Sequence, residues 1–366
     1  MATTTTFDTG DGSASSTPRS RFGAELRDAV SPRTVLLVVA VLAVQMGFVL
    51  SYIGAFHAPK PHHIPVAVVA PAPASDTLVA QLNRLPGEPV LARPTTGEQQ
   101  ARALILDRNV EAAILVDVRG TTDTLLVASA GGVAVSTAAQ QIAQAVEDQQ
   151  HRQLRVVDIR PPDAGDGRGM SSFYLALGWI VGGYLAAAIL GMAAGARPAN
   201  VHRTVIRLGV LALYAVGSGL GGAVIVGPVM NALPGHFGAL WLFGSLVVFA
   251  AAATTVALQN LMGIIGVGTA VTLFVVLGNP SAGGAYPYSL LPPFWSAIGP
   301  WLPPGAATTA IRNTVYFAGH AVTRPVWVLV TYAVVGTVAA VAASAGRVSR
   351  ARRSDATPSA PVPQQA

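Results

Sequence analysis

Leu208–Ala257 reads LGVLALYAVGSGLGGAVIVGPVMNALPGHFGALWLFGSLVVFAAAATTVA, and the chain continues to Ile311 before the next Asp, Glu, Lys or Arg. A water-facing fold of that length needs charge on its outer surface. A fold whose outer surface meets lipid does not. The whole chain agrees: of 366 residues, 52% are hydrophobic and 11% charged, against about 25% charged in soluble domains. The sequence therefore predicts an α-helical polytopic membrane protein.

A helix needs roughly 20 mostly apolar residues to cross the hydrocarbon core. Six runs meet or approach that length: Thr34–Phe56, Ser172–Ala194, Val205–Val229, Phe237–Ala257, Leu261–Leu277 and Val326–Ala345. The first run exceeds a signal-peptide core and lacks a clean cleavage site, so it reads as an uncleaved anchor. Arginines flank the runs unevenly. Arg19, Arg21, Arg27 and Arg33 precede the first run. Arg197, Arg203 and Arg207 join the second to the third, and Arg347, Arg350, Arg352 and Arg353 follow the last. With six crossings all three clusters fall on one side, the cytoplasm, which puts both termini inside at the plasma membrane.

The expected organisation follows. Residues 1–33 form a cytoplasmic tail with a short amphipathic helix carrying Phe22, Leu26 and Val30, and 34–56 the first span. Residues 57–171 form an extracytoplasmic α/β domain inserted between the first and second spans, and 172–278 hold spans two to five. Residues 279–324 form an interfacial or re-entrant segment, 325–346 the sixth span, and 347–366 a second cytoplasmic tail.

Within the inserted domain, "IPVAVVAP", "EPVLARPT", "VEAAILVDV", "DTLLVASA" and "LRVVDIRP" read as strands rich in Val and Ile. Helices are expected after Ser75 and after Thr96, each read as an N-cap. Another is expected along Val135, Ala139, Ile142 and Val146.

The segment after the fifth run is too apolar for a surface loop. Its seven prolines from Pro280 to Pro304 forbid one continuous spanning helix. Short helices at the outer leaflet satisfy both constraints. Phe294, Trp295 and Trp301 would sit at the headgroup level, and Arg312 on "GAATTAIRNTVYF" would face water. These four residues are the candidate gate over a path between subunits; the alternative is a lid that only covers helix ends.

Other chemistry is largely excluded. ATP hydrolysis needs a phosphate-binding lysine in a glycine-rich loop, and the chain's only lysine, Lys60, lies between two prolines. "GSGLGG" at Gly217–Gly222 lies inside an apolar run with no preceding strand, so helix packing outweighs dinucleotide binding. Gly178/Gly182 and Gly191/Gly195 join Gly217/Gly221 as candidate close-packing pairs. No ionisable residue falls mid-span, which counts against proton-coupled antiport. His57, His62 and His63 are weak candidate metal ligands. Neither a catalytic nor a cofactor-binding residue is assigned, and the net charge of +6 reads as topology signal, not nucleic-acid binding.

The layout resembles the ABC-2-type permease superfamily, in the branch of the phage-infection proteins and fungal nitrosoguanidine-resistance proteins. The residues that carry the resemblance are "SYIGAFHAPKPHHIPVAVV" (Ser51–Val69), "GNPSAGG" (Gly278–Gly284) and "LPPGAATTAIRNTVYFAG" (Leu302–Gly319). The resemblance implies a permease-like export component for lipophilic or drug-like compounds, powered by a separate ATPase subunit if at all. Cytoplasmic coupling would then fall to Arg21, Arg27, Arg197, Arg203 and Arg207. The partners implied are the bilayer, a second copy of the chain and that ATPase. The alternative is a non-transporting envelope protein whose inserted domain binds a partner, a wall component or a phage.

Overall fold

The computed structural model describes residues 31–355. The expected amphipathic helix, with Arg21 and Arg27, lies outside them. The chain is mostly helical with one small sheet region. Among the described residues, five helices are long and apolar enough to cross a membrane, one fewer than the six runs read from the sequence.

Helix α1 covers Pro32–Phe56. Leu50 and Ile53 on its last turns are exposed, as expected of side chains meant for lipid. The sheet domain follows, in the order β1 (Ile64–Val69), α2 (Ala74–Asn83), β2 (Val90–Pro94), α3 (Glu98–Leu106), β3 (Ala112–Leu115), β4 (Thr122–Val127), α4 (Val133–Gln149) and β5 (Gln153–Asp158). All five strands read from the sequence form one sheet, ordered β2-β1-β3-β4-β5. Only the β3–β4 pair is antiparallel, closing the hairpin expected at Arg119–Thr122.

Strand alternation sorts the domain into two layers. Ile64, Val66 and Val68 pack with Leu82 of α2 and with Val135, Ala139 and Ala143 of α4. Ala67 points the other way, into a cluster with Ala101 and Ile105 of α3 that continues into the helical bundle. The expected cap residues differ. Pro73 occupies the cap position of α2, and Ser75 is buried as the second residue of the helix. Gly97 precedes α3, and the Thr96 hydroxyl instead bonds the side chain of Gln100.

The bundle comprises α5 (Ser171–Ala194), α6 (Val201–Val224, continued by a π-turn to Val229), α7 (Phe237–Met262), α8 (Ile265–Val271, continued by a π-segment to Leu277) and α11 (Thr323–Asp355). Helix α7 is central, packed against α5, α6 and α11. Its Ala250–Ala253 stretch is fully buried, because side chains this small let neighbouring helices approach closely.

Glycine serves the same purpose, but not at the expected pairs. A Cβ at Gly178, Gly217 or Gly221 would meet open space, whereas one at Gly219 or Gly222 would collide with Ser245 or Trp179. Gly182 approaches the Tyr214 hydroxyl and Gly191 the amide of Gln259, so those two do lie at helix contacts. Gly195, at φ +84°, ends α5 as its C-cap instead of packing a helix. The G-x-x-x-G spacing finds a helix face but cannot say which face meets a neighbour.

The run read as a fifth span forms a shorter helix. Gly263, at φ +67°, breaks the chain after α7, and only Ile265–Leu277 is apolar helix. Its start lies beside Arg197. Past its end, the Asn279 amide donates to the Tyr52 hydroxyl near the end of α1. The short run thus connects the two ends of the bundle.

Candidate functional site

Prolines start the helices of the segment between α8 and α11. Pro293 opens α9 (Pro293–Ile298) and Pro303 opens α10 (Pro303–Tyr316), where a missing N–H costs nothing. Helix α10 realises the helical piece expected at Gly305–Phe317, but it does not lie on a surface. Every residue of it except Thr309 is buried, and it packs against α5, α7 and α11. Ala306, Ala307 and Ala310 leave room for this insertion. A Cβ at Gly305 would collide with the carbonyl of Gly299.

The same segment supports the sheet domain. The His62 N–H donates to the Ser289 carbonyl at 2.8 Å, Leu290 joins the sheet core, and a Cβ at Gly132, ahead of α4, would collide with Pro287. At the far end of α10, the Tyr316 hydroxyl donates to Asp166 at 2.7 Å. Asp166 in turn accepts the Ser171 N–H at the start of α5 at 2.8 Å.

Between sheet domain and segment lies a cleft of about 1000 Å³. Prolines and small apolar residues, among them Pro65, Pro287, Leu291 and Ala306, form much of its wall. Arg108, Arg312 and Arg324 supply its cations, and among the described residues Glu111 is the only carboxylate on its lining. Thr309 and Asn313 reach it from one face of α10, as their i, i+4 spacing requires.

Each arginine is held differently. Arg108 donates to Glu111 at 2.9 Å and lies over the Phe317 ring at 4.6 Å. Arg324 lies over the Trp301 ring at 4.2 Å, a cation–π contact. Arg312 is only 6% exposed, so it does not face water as expected. It donates to the carbonyls of Gly283 at 3.1 Å and Gly284 at 3.4 Å. Among the described residues its Nε has no partner, and neither has Nη1 of Arg108.

Of the other gate candidates, Phe294 and Trp301 are 57% and 59% exposed. Trp295 makes an edge contact with Phe294 at 5.0 Å. Sequence reading named Arg312 and Trp301 but missed Arg108, Arg324 and Tyr288, because nothing local to them signals a shared cavity. The histidines do not come together on a ligand. His57 bonds the Ile53 carbonyl, and His63 bonds Glu88 at 2.8 Å. Among the described residues no three His, Asp or Glu side chains are grouped as metal ligands.

At the opposite end of the bundle the arginines read as coupling residues split. Arg207 is buried and donates to the Gly195 carbonyl at 2.8 Å instead of snorkelling outward. Arg197 reaches the Leu261 carbonyl at 3.4 Å, while the Arg203 side chain is exposed. Thr204, Ser344 and Asn260 form a buried polar network there, with Thr204 and Ser344 hydroxyls 2.7 Å apart.

A second charged cluster lies within the sheet domain. Arg152 clamps Asp123 through Nε and Nη2, both at 2.7 Å, and stands 3.7 Å from Glu147. Burial pushes the Glu147 carboxyl up to about 7, helped by the neighbouring Asp123 charge. Burial acts on Asp123 in the same direction. The bonds from Arg152 and from the Asp117 N–H more than offset it, so Asp123 sits below the usual carboxylate range.

Compared with family models, with curated proteins and with solved structures, the chain matches none.

Proposed function

We propose that the chain is a permease-like component of an export system for lipophilic or drug-like compounds, powered by a separate subunit if at all. The observation that carries this reading is the cleft. It lies where the sheet domain meets a proline-initiated segment inserted among the bundle helices, and large apolar side chains stand exposed beside it. A mostly apolar cavity with a few placed polar groups is the usual form of a small-molecule site.

On this reading the short Ile265–Leu277 helix is a sixth crossing. The sheet domain is then extracytoplasmic and both termini are cytoplasmic, in agreement with the arginine clusters. Gly178, Gly217 and Gly221 point to open space and are free to pack against a second copy in a homodimer.

The test is accumulation of a lipophilic dye in cells lacking the gene, restored with the wild-type chain or with Thr309→Trp, which places a bulky ring in the cleft. Deletion is expected to raise accumulation, and only the wild-type chain to reverse it. If deletion changes neither accumulation nor drug sensitivity, and no ATPase copurifies in mild detergent, the export reading fails. The alternative of a non-transporting binding protein then takes its place.

A further inference from the structure

Arg312 poses a physical problem that the fold alone does not solve. A guanidinium taken out of water loses several kcal/mol of solvation unless a partner restores it, and buried charges are ordinarily paired. Among the described residues Arg312 forms no ion pair with a carboxylate. Two backbone carbonyls take its terminal nitrogens, and Nε, on the cleft side chain, is left unpartnered. A structural clamp on the Gly283–Gly284 turn accounts for two of its three nitrogens and not for Nε.

The surroundings select the missing partner. Arg108, Arg312 and Arg324 face one carboxylate, Glu111, so the cleft carries an excess of two positive charges. Tyr288, Thr309 and Asn313 add hydroxyl and amide groups. A polyphosphate would bring more negative charge than the cleft can match, and its walls of proline, leucine and alanine offer such a ligand nothing. The volume of about 1000 Å³ lies at the upper end of small-molecule sites, more than a bare anion fills. Exposed Trp301, lying under the cleft-lining Arg324, marks an apolar rim.

We propose that the cleft binds an amphiphilic anion, a carboxylate or phosphate monoester bearing an apolar chain. The head sits against Arg312, and the chain runs along the proline and alanine wall toward Trp301. The ligand class rests on the same cleft as the export reading, but binding does not require transport.

The experiment is equilibrium binding to the full-length protein in lipid nanodiscs, followed by tryptophan fluorescence and native mass spectrometry. The probes are dodecyl phosphate and laurate, with dodecanol, dodecyltrimethylammonium and inorganic phosphate as controls. The two anionic chains should bind saturably, and each control far more weakly. Arg312→Met should weaken anionic-chain binding by about ten- to a hundredfold, the loss of a charge-assisted bond. Arg312→Lys, which keeps the charge but loses the fork, should weaken it less.

Equal binding of dodecanol and dodecyl phosphate overturns the proposal. So does full competition by inorganic phosphate, or unchanged affinity in Arg312→Met. If Arg312→Met does not fold, Arg312→Lys and Thr309→Trp decide by the same readout. Displacement of dodecyl phosphate by phosphatidate in the nanodisc assigns the ligand to the bilayer, and absence of displacement assigns it to the aqueous phase; each presupposes, and so supports, the site. Binding without any effect of gene deletion on dye accumulation would sink the export reading and leave this one standing.

Discussion

Arg152 in the sheet domain and Arg312 on α10 are both guanidinium groups drawn away from water, and their compensation is opposite. Arg152, with a side chain 21% exposed, faces two carboxylates, Asp123 and Glu147, that are 3% and 5% exposed. It also donates to the backbone carbonyls of Asp117 and Gly120. Arg312 is more deeply buried and has carbonyl partners alone. The first cluster carries its own counter-charge and ties β4 to the α4–β5 turn. The second lacks one and lines a cavity. Among the described residues Arg207 also has only a backbone carbonyl as partner, so lack of a counter-charge alone does not single out Arg312. Its place on the cleft lining does, and the proposed ligand rests on the two together.

The contrast can be broken most sharply at Arg152. Arg152→Met leaves two buried carboxylates facing each other and should cost roughly 3 kcal/mol, the low end for breaking a buried pair because Arg152 is partly exposed. Thermal unfolding of the purified chain, with hydrogen exchange across β4, α4 and β5, measures it. A loss below about 1 kcal/mol would remove the distinction between the two sites.

Glu147 gives the next effect. Its pKa is raised from 4.5 to about 7 in the folded state, so between those values the native protein binds more protons than the unfolded chain. Stability from this group is fully present below pH 4.5. It is lost as pH rises toward 7, on the order of 2 kcal/mol over the window. Glu147→Gln should flatten that slope in a pH series of melts. An unchanged slope would assign the titration elsewhere.

Tyr316→Phe tests the tie between α10 and the loop before α5. It removes one donor from buried Asp166, which keeps the Ser171 N–H. A hydrogen bond to a charged group is worth about 1.5–3 kcal/mol, and the lower figure is expected in the melt. The smallest stability effect should come from Arg312→Met. It leaves the Gly283 and Gly284 carbonyls without their donor but also removes a buried charge that costs solvation. The two effects oppose each other, so its melt should stay within about 1 kcal/mol of wild type. A loss of several kcal/mol would make Arg312 as structural as Arg152.

Much of this was readable from residues in order. The charge-free stretch from Leu208 announced the bundle, and runs of Val and Ile announced all five strands. What escaped depended on juxtaposition. Asp123 and Arg152 lie 29 positions apart and meet because Thr122 pairs with Gln153 in the β4–β5 register. Ser75 has the chemistry of a cap, but the turn places Pro73 there. Arg312 was legible as a notable residue, yet its burial depends on a turn at Gly283–Gly284 that no local pattern ties to α10. Among the glycines the spacing was visible and the contact face was not, since a repeat of four marks a stripe on a helix whichever way it points.

The brevity of Ile265–Leu277 has its own consequence. Thirteen helical residues rise about 20 Å, some 10 Å short of a typical hydrocarbon core. Ile264 and Ile265 at its start are nonetheless exposed. On the proposed reading, where this helix is the sixth crossing, it draws the two leaflets toward each other beside it. Lipids along that flank would therefore be more compressed and less ordered than those bordering the full-length helices.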